Sequence, residues 1–236
     1  MNAIRYNEDS YLEAMATHVF HQPSGVNYVS IIEQFDLGRR VRQGEVDEVI
    51  IWAGPWNAGF YESQMVGTAA YWCNSPPINR PGTPLYVIMA LNPERGLECA
   101  LESFGHRSES ILWHVYGSWN SGTNVQHLWD RFTKHDKIAP GRAACGNVHF
   151  PPNGTFDYNY SNTNSVVSSA DDWLLNYPGF QQITHTFNAA EWNFAHRQYL
   201  QWWFRHMPRE PGRYADGKLN NWWSYLVDFN RYPESR

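Results

Sequence analysis

The chain has 236 residues, a formal net charge of −5 and only 17% charged residues, and its 16% aromatic content includes 12 Trp and 14 Tyr. It has no Lys/Arg-rich run, so phosphate-backbone binding has no electrostatic footprint and nucleic acid is excluded as a partner. The longest apolar stretch, around LYVIMAL, falls far short of the roughly 20 residues of a membrane helix, and 42% hydrophobic residues suffice for a buried core.

Taken in chain order, residues 8–20 (EDSYLEAMATHVF) have the pattern of a short helix with Asp9 or Ser10 as its cap. Residues 1–27 are expected to form a peripheral N-terminal segment. Residues 27–44 suggest a second helix ended by Gly44. VDEVIIWAG, 46–54, is an apolar, β-branched run stopped by Gly54-Pro55 and is expected to be a buried strand. A Gly/Pro-rich loop follows. LYVIMALN, 85–92, predicts a second buried strand, and Pro93 is a good first residue for a long helix reaching Tyr116. Residues 124–136 predict a helix. Residues 141–178 predict a long loop, a length that in a domain implies function or mobility. QQITHTF, 181–187, suggests a third strand, 189–207 a helix ended by Pro208, and 220–230 a last short helix. Strands bounded by helices imply a single α/β domain over 1–236, with a short, mostly parallel or mixed sheet flanked by helices and long loops.

The long helix carries the candidate chemistry. At 100° per residue Leu97, Leu101, Phe104, Ile111, Leu112 and Val115 share an apolar face. Glu98, Glu102, His106 and Glu109 share another, joined by Arg95. Carboxylates aligned this way repel one another, and no Lys on the helix relieves them. The alternatives are a solvated face and a cation site. Glu102 and His106 have the i, i+4 spacing with which one helix face presents two ligands to a metal. Gly105, beside this stripe, costs about 1 kcal/mol relative to Ala in mid-helix, which suggests close approach of a backbone or ligand.

A third ligand must come from elsewhere. His149, in CGNVHFPPN, sits on a loop stiffened by Pro151-Pro152. Cys145-x3-His149 is no zinc-finger spacing, and a Cys145–His149 nucleophile pair is the weaker use of the same residues. Glu62, Asn92 and Glu94 follow the strands, where open α/β sheets place their ligands. Paired carboxylates (Glu62, Glu98, Glu102, Glu109, Asp157, Asp171, Asp172) leave a metal-free glycosidase open. Trp192, Trp202, Trp203, Trp222 and Trp223 would suit a sugar cleft or an ordinary core. Among the three cysteines Cys99 is expected to be a buried thiol, while Cys73 and Cys145 are able to pair if the protein is exported. Asn153 and Asn159 open glycosylation sequons in form.

With FGHRSES, CGNVHFPPN and NNWW in view, the chain resembles a group of bacterial proteins, many of them exported, that share these motifs from about Tyr28 onward. The resemblance implies a grouping and no activity. It also implies His where this chain has Glu102, giving H-x-x-x-H-x-x-E, so Glu102 keeps an oxygen ligand but alters metal choice. MNAIRYNEDS lacks the apolar core of a secretory leader. The expected location is extracellular or periplasmic with a leader removed, or else cytoplasmic.

The function expected is a metal-dependent hydrolase cutting a glycan or peptide bond with a metal-activated water. Glu102, His106 and His149 would hold a divalent ion, zinc first among them, with Glu109 or Glu62 as further ligand or general base. The competing class is a carbohydrate- or protein-binding module with an aromatic surface.

Overall fold

A computed structural model describes residues 6–21, 25–52, 59–119, 122–232 and 234. The expected strand stop at Gly54-Pro55 lies outside the described residues. The chain divides into two compact units, Met1–Gly96 and Leu97–Arg236.

The first unit holds helices α1 (Glu8–Thr17), α2 (Tyr28–Gln34) and α3 (Leu37–Arg42), and strands β1 (Glu48–Trp52), β2 (Ser63–Gly67), β3 (Ile78–Asn79) and β4 (Tyr86–Leu91). The sheet order is β1-β4-β2-β3. β1 runs parallel to β4, β2 antiparallel to β4, and β3 parallel to β2, so the expected α/β class with a mixed sheet is present. Tyr28, Ile31, Ile32, Leu37 and Val41 from α2 and α3 pack with Val66, Tyr86, Ile88 and Ala90. Alternate residues of β4 face this cluster, as strand geometry requires.

Four expectations are corrected here. The cap of α1 is Asn7, whose side chain accepts from Ser10 N while Ser10 Oγ bonds back to Asn7 N, a capping box shifted one turn upstream. The single helix over 27–44 is two, because Asp36 takes a left-handed backbone (φ 49°) between them. β1 is not buried: it lies at the sheet edge, with Ile50 and Trp52 exposed. The Ser63–Gly67 segment, expected as loop, is a fully buried strand. Residues Tyr6 and Tyr11 of the N-terminal segment pack against the core.

The second unit holds α4 (Leu97–Tyr116), α5 (Leu128–Phe132), β5 (Val166–Ser168), α6 (Ala170–Leu175), β6 (His185–Phe187), a 3₁₀ turn (Ala189–Trp192), α7 (His196–His206), β7 (Arg209–Arg213), β8 (Leu219–Asn221) and α8 (Trp223–Val227). α4 begins at Leu97, so Pro93 and Arg95 precede it. The helix expected over 124–136 shrinks to α5, and that over 189–207 splits at Asn193 and Phe194, both in left-handed backbone. α4 packs on α7, α8 and α5. Trp129, Phe132, Trp173, Trp203 and Trp222 form a ring cluster with edge-on contacts at 5–6 Å, such as Phe132–Trp222 at 5.3 Å. Trp192, Trp202, Trp203 and Trp222 are buried in the core, while Trp223 is half-buried. Among the described residues no helix is long and apolar enough to cross a membrane.

None of the three cysteines is in a disulfide, so the possible Cys73–Cys145 pairing is absent. Asn153 and Asn159 are buried, and Asn153 Nδ2 donates to the carbonyls of Asn162 and Asn164, which closes that sequon to a glycan.

Candidate metal centre

α4 is buried almost all round. Glu102 and Glu109 are only 5% and 6% exposed, so the polar stripe is not a solvated face. Small polar residues beside it make burial tolerable. Ser103, Ser108 and Ser110 donate back to the carbonyls of Cys99, Phe104 and His106. Arg107, 1% exposed, donates to Leu226 O and lies against the Phe104 and Phe229 rings.

The loop from Cys145 to Phe150 docks on this helix. Gly146 has φ 73°, and a Cβ there would lie 2.1 Å from Phe150 O, so only glycine permits the turn. Asn147 Oδ1 accepts from the N–H of His149 and of Phe150. The loop carbonyls find donors among buried rings: Trp203 Nε1 donates to Gly146 O at 3.0 Å, Tyr199 Oη to Asn147 O at 2.7 Å, and Tyr160 Oη to Val148 O at 2.9 Å. Val148 N donates to Glu109 Oε1 at 2.8 Å. Gly105 answers its own question. A Cβ there would stand 2.5 Å from Val148 Cγ2, so the glycine lets Val148 lie flush on α4.

Docking brings His149 to His106. Their Nε2 atoms face each other at 2.9 Å, and Glu102 Oε1 lies 3.2 Å from His149 Nε2 and 3.7 Å from His106 Nε2. One ligand atom from each of Glu102, His106 and His149 lies within 4.8 Å of the others, and the group can hold a metal ion. Behind each imidazole stands a carboxylate. His106 Nδ1 is 3.0 Å from Glu109 Oε2, and His149 Nδ1 is 3.1 Å from Asp157 Oδ1. An ionised carboxylate only accepts, so each Nδ1 carries a proton, and an Nε2 without a proton directs its lone pair forward. Two lone pairs and a carboxylate oxygen then converge on one point. They repel unless a cation or a proton stands among them.

Tyr158 Oη donates to Glu102 Oε1 at 2.8 Å, and its ring lies over His149 with centroids 4.2 Å apart. His196 Nε2 is 3.5 Å from Glu102 Oε2, and its ring stacks on Tyr160 at 4.4 Å. Burial alone would raise the Glu102 pKa, but hydrogen bonds from His106, His149 and Tyr158, with His196 nearby, hold it well below the usual carboxylate range.

The expected ligands Glu102, His106 and His149 are thus together. Glu109 joins them: its oxygens accept from His106 Nδ1 and Val148 N, so it orients an imidazole. Glu62 belongs to the first unit, where it accepts from Asn74 Nδ2. Glu94 and Asn92 lie in that unit too, Glu94 accepting from Tyr11 Oη. Burial pushes the Cys145 thiol pKa well up, which removes a Cys145 thiolate nucleophile. Sequence reasoning named Asp157 only among the carboxylates of a metal-free glycosidase, and it missed Tyr158 and His196. Asp157 and Tyr158 sit eight and nine residues beyond His149 in irregular chain, and His196 looked like a mid-helix residue.

No family model matches the chain, and neither a curated protein nor a solved structure matches it. The grouping by FGHRSES, CGNVHFPPN and NNWW therefore rests on those motifs alone.

Proposed function

We propose that the chain is a divalent-metal-dependent hydrolase, with Glu102, His106 and His149 holding the ion. The observation that carries this is the pair of imidazoles whose Nδ1 atoms are turned to Glu109 and Asp157, so that both Nε2 atoms and Glu102 Oε1 converge. A carboxylate behind each ligating imidazole is the usual outer shell of a zinc site. Two His and one Glu are also a ligand set of hydrolytic zinc, which leaves a position for water where structural sites are closed by four protein ligands. Zinc suits two imidazoles and one carboxylate better than calcium, which takes six or more oxygens.

A zinc-class ion held by Glu102, His106 and His149 would supply an activated water near neutral pH. The chain's own residues do the rest. Glu109 and Asp157 fix the two ring orientations. Tyr158 restrains Glu102. His196, beside the second oxygen of Glu102, is the group we assign to proton transfer. The bond cut is a peptide or a glycosidic bond, and the burial of Trp192, Trp203 and Trp222 weakens the aromatic argument for favouring glycans. Elemental analysis of the dialysed protein tests the reading. One equivalent of zinc, with hydrolysis of a peptide or polysaccharide panel lost in chelator and regained with the metal, supports it. No metal and no thermal shift with added Zn²⁺ or Mn²⁺ refutes it and leaves a proton shared between His106 and His149.

One observation favours a second reading, a glycan-binding module. A groove of about 780 Å³ has Phe104, Phe204, Trp202 and Trp223 along its floor and Gln198 and Arg205 among its polar residues. Ring faces beside planar donors are how sugars are held. Oligosaccharide binding that survives metal removal would support that reading.

A further inference from the structure

The second unit holds another concave site, built from different residues. A cavity of about 260 Å³ is lined by Arg131, Lys134 and Arg142, by the hydroxyl residues Thr123, Ser169 and Thr184, and by five small or apolar residues. Among the described residues no carboxylate lines it. That is unusual in a chain with 23 acidic and 18 basic residues. Its walls are firmly tied: Lys134 O accepts from Ala144 N and Gly146 N, and Ser169 N donates to Ala143 O.

The two arginines are only lightly engaged by acids. The Arg131 guanidinium lies over Phe180, 3.8 Å from the ring centroid, which fixes its plane. Its ion pair with Asp172 is long, at 3.7 Å, and Asp172 already accepts from Gln181 N, Gln182 N and Asn176 Nδ2. Among the described residues no carboxylate is paired with Arg142. Lys134 is buried, and its Nζ donates to Gly122 O at 2.6 Å. Asp171, the nearest acid along the chain to Ser169, is turned to His185 Nδ1 at 3.1 Å. Three basic and three hydroxyl residues around a small cavity supply the kinds of donor that hold a tetrahedral oxyanion.

We propose that this cavity binds a small tetrahedral oxyanion: phosphate, sulfate or the phosphate of a monoester. The cavity shares no lining residue with the metal centre, and its test does not depend on that centre. Lys134 gains most from such a ligand, because burial pushes its pKa down, against the pull of Asp130, and an anion offsets that cost.

The test is calorimetric titration of the full chain with inorganic phosphate at constant ionic strength set by NaCl. The protein is first stripped with chelator, so that phosphate cannot bind through a metal ion. Parallel titrations use sulfate and methyl phosphate. The expected result is saturable binding above the chloride background, weakened on the order of tenfold or more in Arg142→Gln, a surface change that leaves thermal stability alone. Arg131→Gln is expected to do the same with some loss of stability, because its ring contacts also go. Equal affinity for phosphate and sulfate supports a free oxyanion as ligand, and tighter methyl phosphate supports a monoester. Two results overturn the proposal: no saturable binding of any of the three, or wild-type affinity in both Arg131→Gln and Arg142→Gln.

Discussion

Replacing Gly105 by alanine sets two effects of known sign against each other. Helix propensity favours Ala over Gly by about 1 kcal/mol in a helix interior. Packing opposes it. The new Cβ would lie 2.5 Å from Val148 Cγ2 and 3.4 Å from Cγ1, where carbon atoms rest at roughly 3.5–4.0 Å. Val148 is fully buried and β-branched, so its side chain has little freedom to turn away. Overpacking of this kind costs about 1–3 kcal/mol, so Gly105→Ala should lose up to about 2 kcal/mol net. The larger consequence is at the metal centre. Val148 precedes His149 and is tied to Glu109, so moving it separates His149 from His106. Disturbing such supporting contacts typically weakens metal binding roughly 10–100-fold. Urea denaturation and chelator competition measure the two losses. Gly105→Ala/Val148→Ala should restore metal affinity by restoring the space. If Gly105→Ala is more stable than the parent and holds metal as tightly, the glycine does not serve close approach, and the account of how the loop is placed fails.

Three other predictions are independent of that one. His106→Ala and His149→Ala should each abolish stoichiometric metal, whereas His114→Ala, two turns farther along α4, should keep it; full occupancy in both site variants by elemental analysis would remove the ligand assignment. Glu109→Gln should fold but bind metal roughly 10–100-fold more weakly, since the amide no longer enforces the His106 proton position; unchanged affinity in chelator competition would show that the carboxylate is dispensable. Burial pushes the pKa of both His135 and His206 down from 6.5 to about 4. The unfolded chain therefore binds more protons between these values, so stability is intact above pH about 6.5 and falls as pH drops toward about 4, by up to about 3 kcal/mol per histidine for the 2.5-unit difference. A urea midpoint that does not move between neutral pH and pH about 5 would contradict this.

Local signals in the sequence reached some elements and not others. β4 and α4 carry long, strong patterns and appear close to where expected. β2 did not, because SQMVG has two polar residues among its five and sits between Gly/Pro-rich stretches; its burial comes from its place between β4 and β3. β1 has the composition of a buried strand, and only its position at the edge exposes Ile50 and Trp52. The site divides the same way. Glu102 and His106 are readable because helical spacing is local, and His149 because prolines stiffen its loop. The role of Glu109 was not, since it depends on which atoms arrive from residue 148. His196 reaches Glu102 only after α7 packs on α4, a contact with no trace in sequence spacing.

The indole and phenol donors to the 145–150 loop bear on how the second unit comes apart. Trp203, Tyr199 and Tyr160 are at once the apolar filling beneath the loop and the hydrogen-bond partners of its carbonyls. Peeling the loop away would leave buried polar groups without partners and uncover ring surface in the same step. Neither loss can be taken alone, so the segment has no cheap partial opening. Although it contains almost no regular secondary structure, its amides should exchange with solvent at the slow rate of α7, as members of one cooperative unit.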